Sequence, residues 1–269
     1  MSDLLWEPPA ARKAASNMAA FMARAHAEKG AAAEDYAALH RWSVERPEAF
    51  WDLLWDEVGI IGEKGAGPVI EDGDRMPGAR FFPRARLNYA ENLLRLRGEA
   101  PAIVFRREDG LRRICSRDWL HDMSSCLAQA LAAAGLGEGD RVAAYLPNMP
   151  EAIAVMAAAA ALGATFSSCS PDFGAAGVLD RFGQIEPRIL FAVDGYKYAG
   201  RDHDIRANLA EVANGLSSVE TVVVIPYLTD EPDLSAVPKA VSFAAFMGGV
   251  APGPIAWNRG AFDRPLFIL

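Results

Sequence analysis

What this chain of 269 residues lacks narrows it first. It has only three cysteines, Cys115, Cys126 and Cys169, at spacings that fit neither a zinc motif nor a disulfide framework. Unpaired thiols suit a reducing setting, so a cytoplasmic protein is expected. Four histidines, His26, His40, His121 and His203, are scattered without metal-ligand spacing. Positive charge is short as well: 27 Lys and Arg against 35 Asp and Glu leave a net charge of −8. That balance provides no electrostatic footprint for nucleic acid or an anionic membrane, and neither is expected as a partner. The longest apolar run, Ala152–Ala164, is too short and too alanine-rich to span a bilayer. Residues Met1–Glu7 have neither the basic start nor the apolar stretch of a signal peptide. Nothing in the pattern fixes an oligomeric state.

What is present is organised around Asp140–Gly195. Arg141–Leu146 is a mostly apolar run, as expected of a strand buried on both faces. Pro150 suits the first position of a helix and Glu151 its first turn, and Gly163 suits the far end. A second strand over Ala164–Ser168, a helix over Ala175–Ile185 and a third strand over Ile189–Val193 complete a strand–helix alternation. Such alternation predicts parallel strands joined by right-handed crossovers, an α/β core. The pattern continues with a helix over Ile205–Asn214, a β-branched strand over Thr221–Ile225 and a short helix over Phe243–Met247. A linker from Pro252 leads to a last strand. Ligands of such sheets sit beyond the carboxyl ends of the strands, which singles out Pro147–Pro150, Cys169–Gly174 and Asp194–Arg201. Ordinary connecting turns are the competing explanation for all three.

The N-terminal third is predicted to be helical. Met18, Phe21, Met22 and Ala25 share one face of a helix ending at Gly30; Asp35 can cap a second helix, and Pro47 can open a third. Trp51 and Trp55 lie four apart on that third helix, in a spacing suited to packing. Gly62–Gly67 is glycine-rich but lacks the strand-before, helix-after context of a phosphate cradle. Asn88 with Glu91 forms a capping-box start for a short helix. Asp109-Gly110 marks a hairpin between Ala102–Arg106 and Arg112–Cys115, and Asp118 is placed to cap the amphipathic helix that follows. The expected division is a helical segment, residues 1–70, followed by an α/β domain, residues 71–269. Asp202-His203-Asp204 could cap a helix, and Cys169 is expected to be a buried thiol.

Four stretches carry a resemblance beyond periodicity. Phe81–Leu94 (FFPRARLNYAENLL), Gly139–Asn148 (GDRVAAYLPN) and Arg264–Leu269 (RPLFIL) resemble signatures of AMP-forming acyl-CoA synthetases. Ser167–Gly174 (SSCSPDFG), continuing through Val178–Pro187, resembles the acetoacetate–CoA ligase branch of that adenylate-forming superfamily. Arg84 departs from a family pattern that more often has glycine. The resemblance implies part of the large N-terminal α/β domain, a parallel sheet with flanking helices. It also implies a two-step reaction: acetoacetate attacks ATP, with Mg²⁺, to give an acyl-adenylate and diphosphate, and CoA then displaces AMP. The family's Ser/Thr/Gly-rich phosphate loop follows the strand on which Leu269 lies, and its catalytic lysine comes later. The expectation is therefore an N-terminal portion, inactive alone, with no catalytic residue of its own and no tight binding of ATP or CoA. Alternatives are a fragment of an acetate or propionate synthetase, or a non-catalytic CoA- or nucleotide-binding module.

By the same resemblance, Arg201 takes the place of a basic residue that contacts the nucleotide end of CoA. Tyr198 stands where a relative has a second arginine, Lys197 could replace that charge, and Gly174 lies in a turn that approaches CoA. Asp172 stands where glycine is common. A 3′-phosphate calls for arginine or lysine at the rim of a groove, but solvated loop charges would give the same sequence.

Overall fold

The structure, a computed structural model, describes residues 5–269; the start of the expected 1–70 segment and most of Met1–Glu7 lie outside the described residues. It divides into two compact units, one up to Ala85 and one from Arg86 to Leu269. The sequence places this boundary near residue 70.

In the first unit, helices α1 (Ala10–Ala14), α2 (Asn17–Lys29), α3 (Tyr36–Glu45) and α4 (Pro47–Glu57) carry the structure. The alanine-rich stretch Pro9–Gly30, expected as one helix, is split because the Ser16 hydroxyl accepts from the Ala19 amide and starts a new helix. Asp35 caps α3 through the Ala38 amide at 2.7 Å, and Pro47 opens α4, both as the sequence indicates. Phe21, Leu39, Trp42 and Leu53 are buried in a small core. Trp51 and Trp55 lie over Phe81 and Phe82, with ring centroids 5.6 and 4.8 Å apart.

The second unit is built on a six-stranded sheet. Its strands in chain order are β1 (Arg141–Tyr145), β2 (Thr165–Cys169), β3 (Ile189–Val193), β4 (Thr221–Ile225), β5 (Ala240–Ser242) and β6 (Phe267–Ile268). Every pairing is parallel, in the spatial order β5-β4-β3-β1-β2-β6. All five residues of β3 are buried, as a central strand covered on both faces requires. Helices α5 (Tyr89–Leu93), α6 (Arg117–Ala133), α7 (Pro150–Ala161), α8 (Ala175–Gly183), α9 (Arg206–Gly215) and α10 (Phe243–Met247) complete the unit. The alanines of α7 pack against α5 and α6, and Ala154 and Ala157–Ala161 are buried. Small side chains allow the backbones to approach closely there, and the helix stops at Gly163, where φ is 76°.

Two capping expectations need correction. Ser116, not Asp118, caps α6 by accepting from the Trp119 amide; Asp118 is drawn to the Gly98 amide and Arg97. Asn88 accepts from the Ala90 and Glu91 amides, but Glu91 does not complete the box. Its carboxylate makes a two-pronged pair with Arg259, at 2.8 and 2.9 Å. The Asn88 amide meanwhile contacts the carbonyls of Ala160, Ala161 and Asn258. Tyr89 meets Phe267 edge-on at 5.6 Å. Asn88, Tyr89 and Glu91 of the Phe81–Leu94 signature therefore join α7, the final linker and β6.

Candidate functional site

The chain moves from β1 outward to β2, then crosses back to β3 on the other side of β1. The carboxyl ends of β1 and β3 therefore flank a topological switch point, where open α/β sheets leave a crevice. A cleft of about 410 Å³ lies there. Pro147 and Asn148 follow β1 into it, and Ser170, Pro171 and Asp172 follow β2. Tyr196, Lys197 and Tyr198 enter after β3, and Tyr227 after β4. All three segments singled out from the sequence contribute to this one cleft.

Its walls are held by side chains from the strand ends. The Tyr145 hydroxyl, at the end of β1, donates toward the Pro171 and Phe173 carbonyls and so fixes the loop after β2. Burial pushes this phenol up to about 12, so it stays a donor at neutral pH. Asp194, buried at the end of β3, accepts from the amides of Tyr227, Leu228 and Thr229 at 2.8, 3.0 and 2.9 Å. One carboxylate thereby folds the turn that presents Tyr227. Gly195 is required at the next position, because a β-carbon there would come within 2.4 Å of the His203 carbonyl oxygen.

After Gly195 the chain forms a hairpin, Gly195–Tyr198 paired with Arg201–Asp204, where the sequence indicates a loop and a possible helix cap. Ala199 and Gly200 turn it with φ of 51° and 73°, the left-handed values of a type I′ turn. Alanine at the first position conceals the signal, since Asn-Gly or Gly-Gly usually marks such turns. Asp202 and His203 are strand residues, and Asp204 accepts from the Arg206 amide.

The hairpin separates the predicted rim residues. Successive side chains alternate faces, so Lys197 and its partner Asp202 point one way, while Tyr196, Tyr198, Arg201 and His203 point the other. Tyr196 stacks on His203 with centroids 4.8 Å apart. Lys197 pairs with Asp202 at 2.5 Å and lies 4.0 Å from Asp109. Asp109 belongs to the tip of the hairpin Pro101–Arg106/Arg112–Ser116 and is gripped by Arg107, whose hydrogen bond lowers its carboxyl to about 2. The same guanidinium donates to the Tyr227 carbonyl at 2.8 Å and lies 5.1 Å from the Tyr227 ring. Arg201 is exposed and has no ion pair among the described residues. Gly174 is exposed at the N-cap of α8 with φ of −66°, outside the residues lining the cleft.

Tyr145 and Arg107 were not singled out as site residues from the sequence; Asp194 was singled out only as the start of the segment Asp194–Arg201, and Asp109 only as a turn signal. Tyr145, Asp194 and Arg107 reach partners 26 to 120 residues away, whereas Arg107 and Asp109 are only two apart. Cys169 is buried, which raises its thiol. Among the described residues no group of three or more His, Cys, Asp or Glu could hold a metal, and no helix is long and apolar enough to cross a membrane.

Comparison with known proteins fits this geometry. A family model described as acetyl-coenzyme A synthetase N-terminus matches residues 36–93. The chain is 46% identical to an acetoacetyl-coenzyme A synthetase of Rhizobium meliloti over 98% of its own length and 40% of the relative's. It is 31% identical to a malonamoyl-CoA synthetase of Penicillium aethiopicum, over 99% and 38% respectively. The solved acetoacetyl-CoA synthetase of Streptomyces lividans superposes with a TM-score of 0.90 at 38% identity, covering all of this chain and 41% of that one. The chain thus spans about two-fifths of the length of the relatives it matches. The model described as AMP-binding enzyme matches residues 91–251, which contain β1 to β5 and every residue lining the cleft, and the chain belongs to that family.

Proposed function

We propose that these residues serve, in a protein of the relatives' full length, as the leading part of a cytoplasmic ligase that joins acetoacetate to CoA. The reaction converts ATP, acetoacetate and CoA to acetoacetyl-CoA, AMP and diphosphate through an acyl-adenylate. ATP with Mg²⁺ would supply the activated phosphorus that makes the carboxylate a good acyl donor. The part proposed for this chain is scaffold and a rim for the nucleotide end of CoA. The carrying observation is the cleft at the β1/β3 switch point, which gathers Tyr196, Lys197, Tyr198 and Tyr227 around one opening. Tyrosine faces suit an adenine ring, and Arg201, paired across the hairpin from Tyr198, offers a fork to a phosphate. Gly174, on the exposed turn before α8, is the outer edge of the same rim.

Titrating CoA into the 269-residue chain tests the rim: Arg201→Ala weakens binding, and unchanged binding removes Arg201 from it. Acetoacetate-dependent ATP–diphosphate exchange tests the division of labour. This chain is expected to give none, and robust exchange would place the reaction centre within it. The malonamoyl-CoA synthetase relative favours a second acyl group as an alternative. Assaying a full-length ligase with acetoacetate, malonamate, acetate and propionate separates these choices.

A further inference from the structure

The cleft holds its lysine in check. Lys197 is bound at 2.5 Å by Asp202 on its own hairpin and faces Asp109 at 4.0 Å from the neighbouring one. Asp109 is in turn held by two prongs of Arg107, and the Glu108 carboxylate reaches the Gly200 amide at the hairpin turn. Lys197 and Arg107 are thus balanced by Asp109 and Asp202, while Arg201 faces the other way with the tyrosines. A polyanion entering the cleft meets a wall with no net positive charge, to which Asp172 on the loop after β2 adds a negative one, with one uncommitted guanidinium beyond it. Both carboxylates hold Lys197 at the same time that they repel phosphate.

We propose that Asp109 and Asp202 are specificity-determining residues that set how strongly this cleft attracts anions by holding the Lys197 ammonium out of play. The ligand class is a nucleotide with an aromatic base and few phosphate contacts, held by ring faces and one arginine in preference to a basic cradle. The inference rests on the cleft being the CoA-binding rim. Arg107 acts through Asp109 and Tyr227, which makes it a positioning residue.

The test is calorimetric titration of CoA, dephospho-CoA and adenosine into the 269-residue chain and its variants. Asp202→Asn and Asp109→Asn together should tighten CoA about three- to tenfold, as expected for removing two partly exposed charges. Adenosine affinity should stay unchanged, and the salt dependence for CoA should steepen. Adding Lys197→Ala should remove most of the gain, the remainder being the relief of direct repulsion. Asp202→Asn alone leaves the Arg107–Asp109 grip intact and should give a smaller gain in the same direction, which protects the test from a misfolded double variant. If the wild type binds CoA and the double variant binds it no better, the proposal fails while the rim survives. A gain that persists undiminished after Lys197→Ala also overturns it. If neither wild type nor variants bind CoA, the rim itself is wrong and the inference falls with it.

Discussion

The two units of this chain achieve cohesion by different means. The first gathers a few large rings: Phe50 meets Phe21 at 5.9 Å and Trp42 at 6.1 Å, both edge-on, around buried Leu53. Ion pairs brace its surface, with Asp52 between Lys29 and Lys64 at 2.7 and 2.6 Å. The second unit buries an unbroken apolar sheet, in which β3 and most of β4 are fully enclosed, while the alanines of α7 pack against α5, α6 and β2. Aliphatic burial adds with area and barely depends on pH, whereas an ion-braced aromatic cluster does. The contrast teaches that the second unit frames its cleft with the ends of buried strands, whereas a cavity of the first unit is lined mostly by residues of α2.

The largest expected effect breaks that contrast in the core. Phe191→Ala in β3 should cost about 3–5 kcal/mol, and Leu53→Ala in the first unit about 2–5 kcal/mol. Hydrogen exchange should show Phe191→Ala stripping protection from β1 to β4 while α2 to α4 keep theirs. Uniform loss across both units would erase the distinction between them.

A smaller effect separates local caps from long-range ones. Asn88→Ala should cost about 1–3 kcal/mol, because carbonyls of α7 and the final linker lose a buried donor. Exchange should speed at Asn258–Ile268, far away in sequence. Asp35→Ala, a cap serving only α3, should cost about 1 kcal/mol and be felt within that helix. If Asn88→Ala is felt only within Tyr89–Leu93, the signature does not hold β6.

The smallest effect is acidic. Hydrogen bonds from Lys29 and then Lys64 lower the Asp52 carboxyl, so its folded-state value lies below the unfolded one of about 3.9. Its stabilisation is fully present above that value and is lost as pH falls through the folded value. Asp52→Asn should therefore remove a part of the acid sensitivity of the first unit, worth less than about 1 kcal/mol at neutral pH. Denaturant midpoints at pH 6 and pH 3 check this; an unchanged difference between them would show that the pairs contribute nothing.

Much of the second unit was legible because its signals are local. Continuous apolar runs at Arg141–Leu146, Ile189–Val193 and Thr221–Ile225 predict buried strands, and Pro150 and Gly163 bracket the helix between two of them. The loops after Arg141–Leu146, Ala164–Ser168 and Ile189–Val193, singled out by the carboxyl-end rule, all line the one cleft, whereas Tyr227 after Thr221–Ile225 was not singled out. The rim hairpin was missed because Ala199 takes a left-handed φ that alanine rarely adopts. β5 was missed because it is three residues long. Glu91 was assigned to a capping box, although a bidentate arginine 168 residues away is the stronger partner.

The sequence by itself determined the strand–helix alternation, the two buried faces of the central strands and the likeness to the family, since burial period and turn chemistry act between near neighbours. Tertiary structure alone decided that Asp194 presents Tyr227, that Tyr145 fixes the loop after β2, and that Lys197 is spent on carboxylates while Arg201 is not. Charges and hydrogen bonds choose whichever partner the fold brings within about 3 Å, and sequence spacing carries no record of that choice.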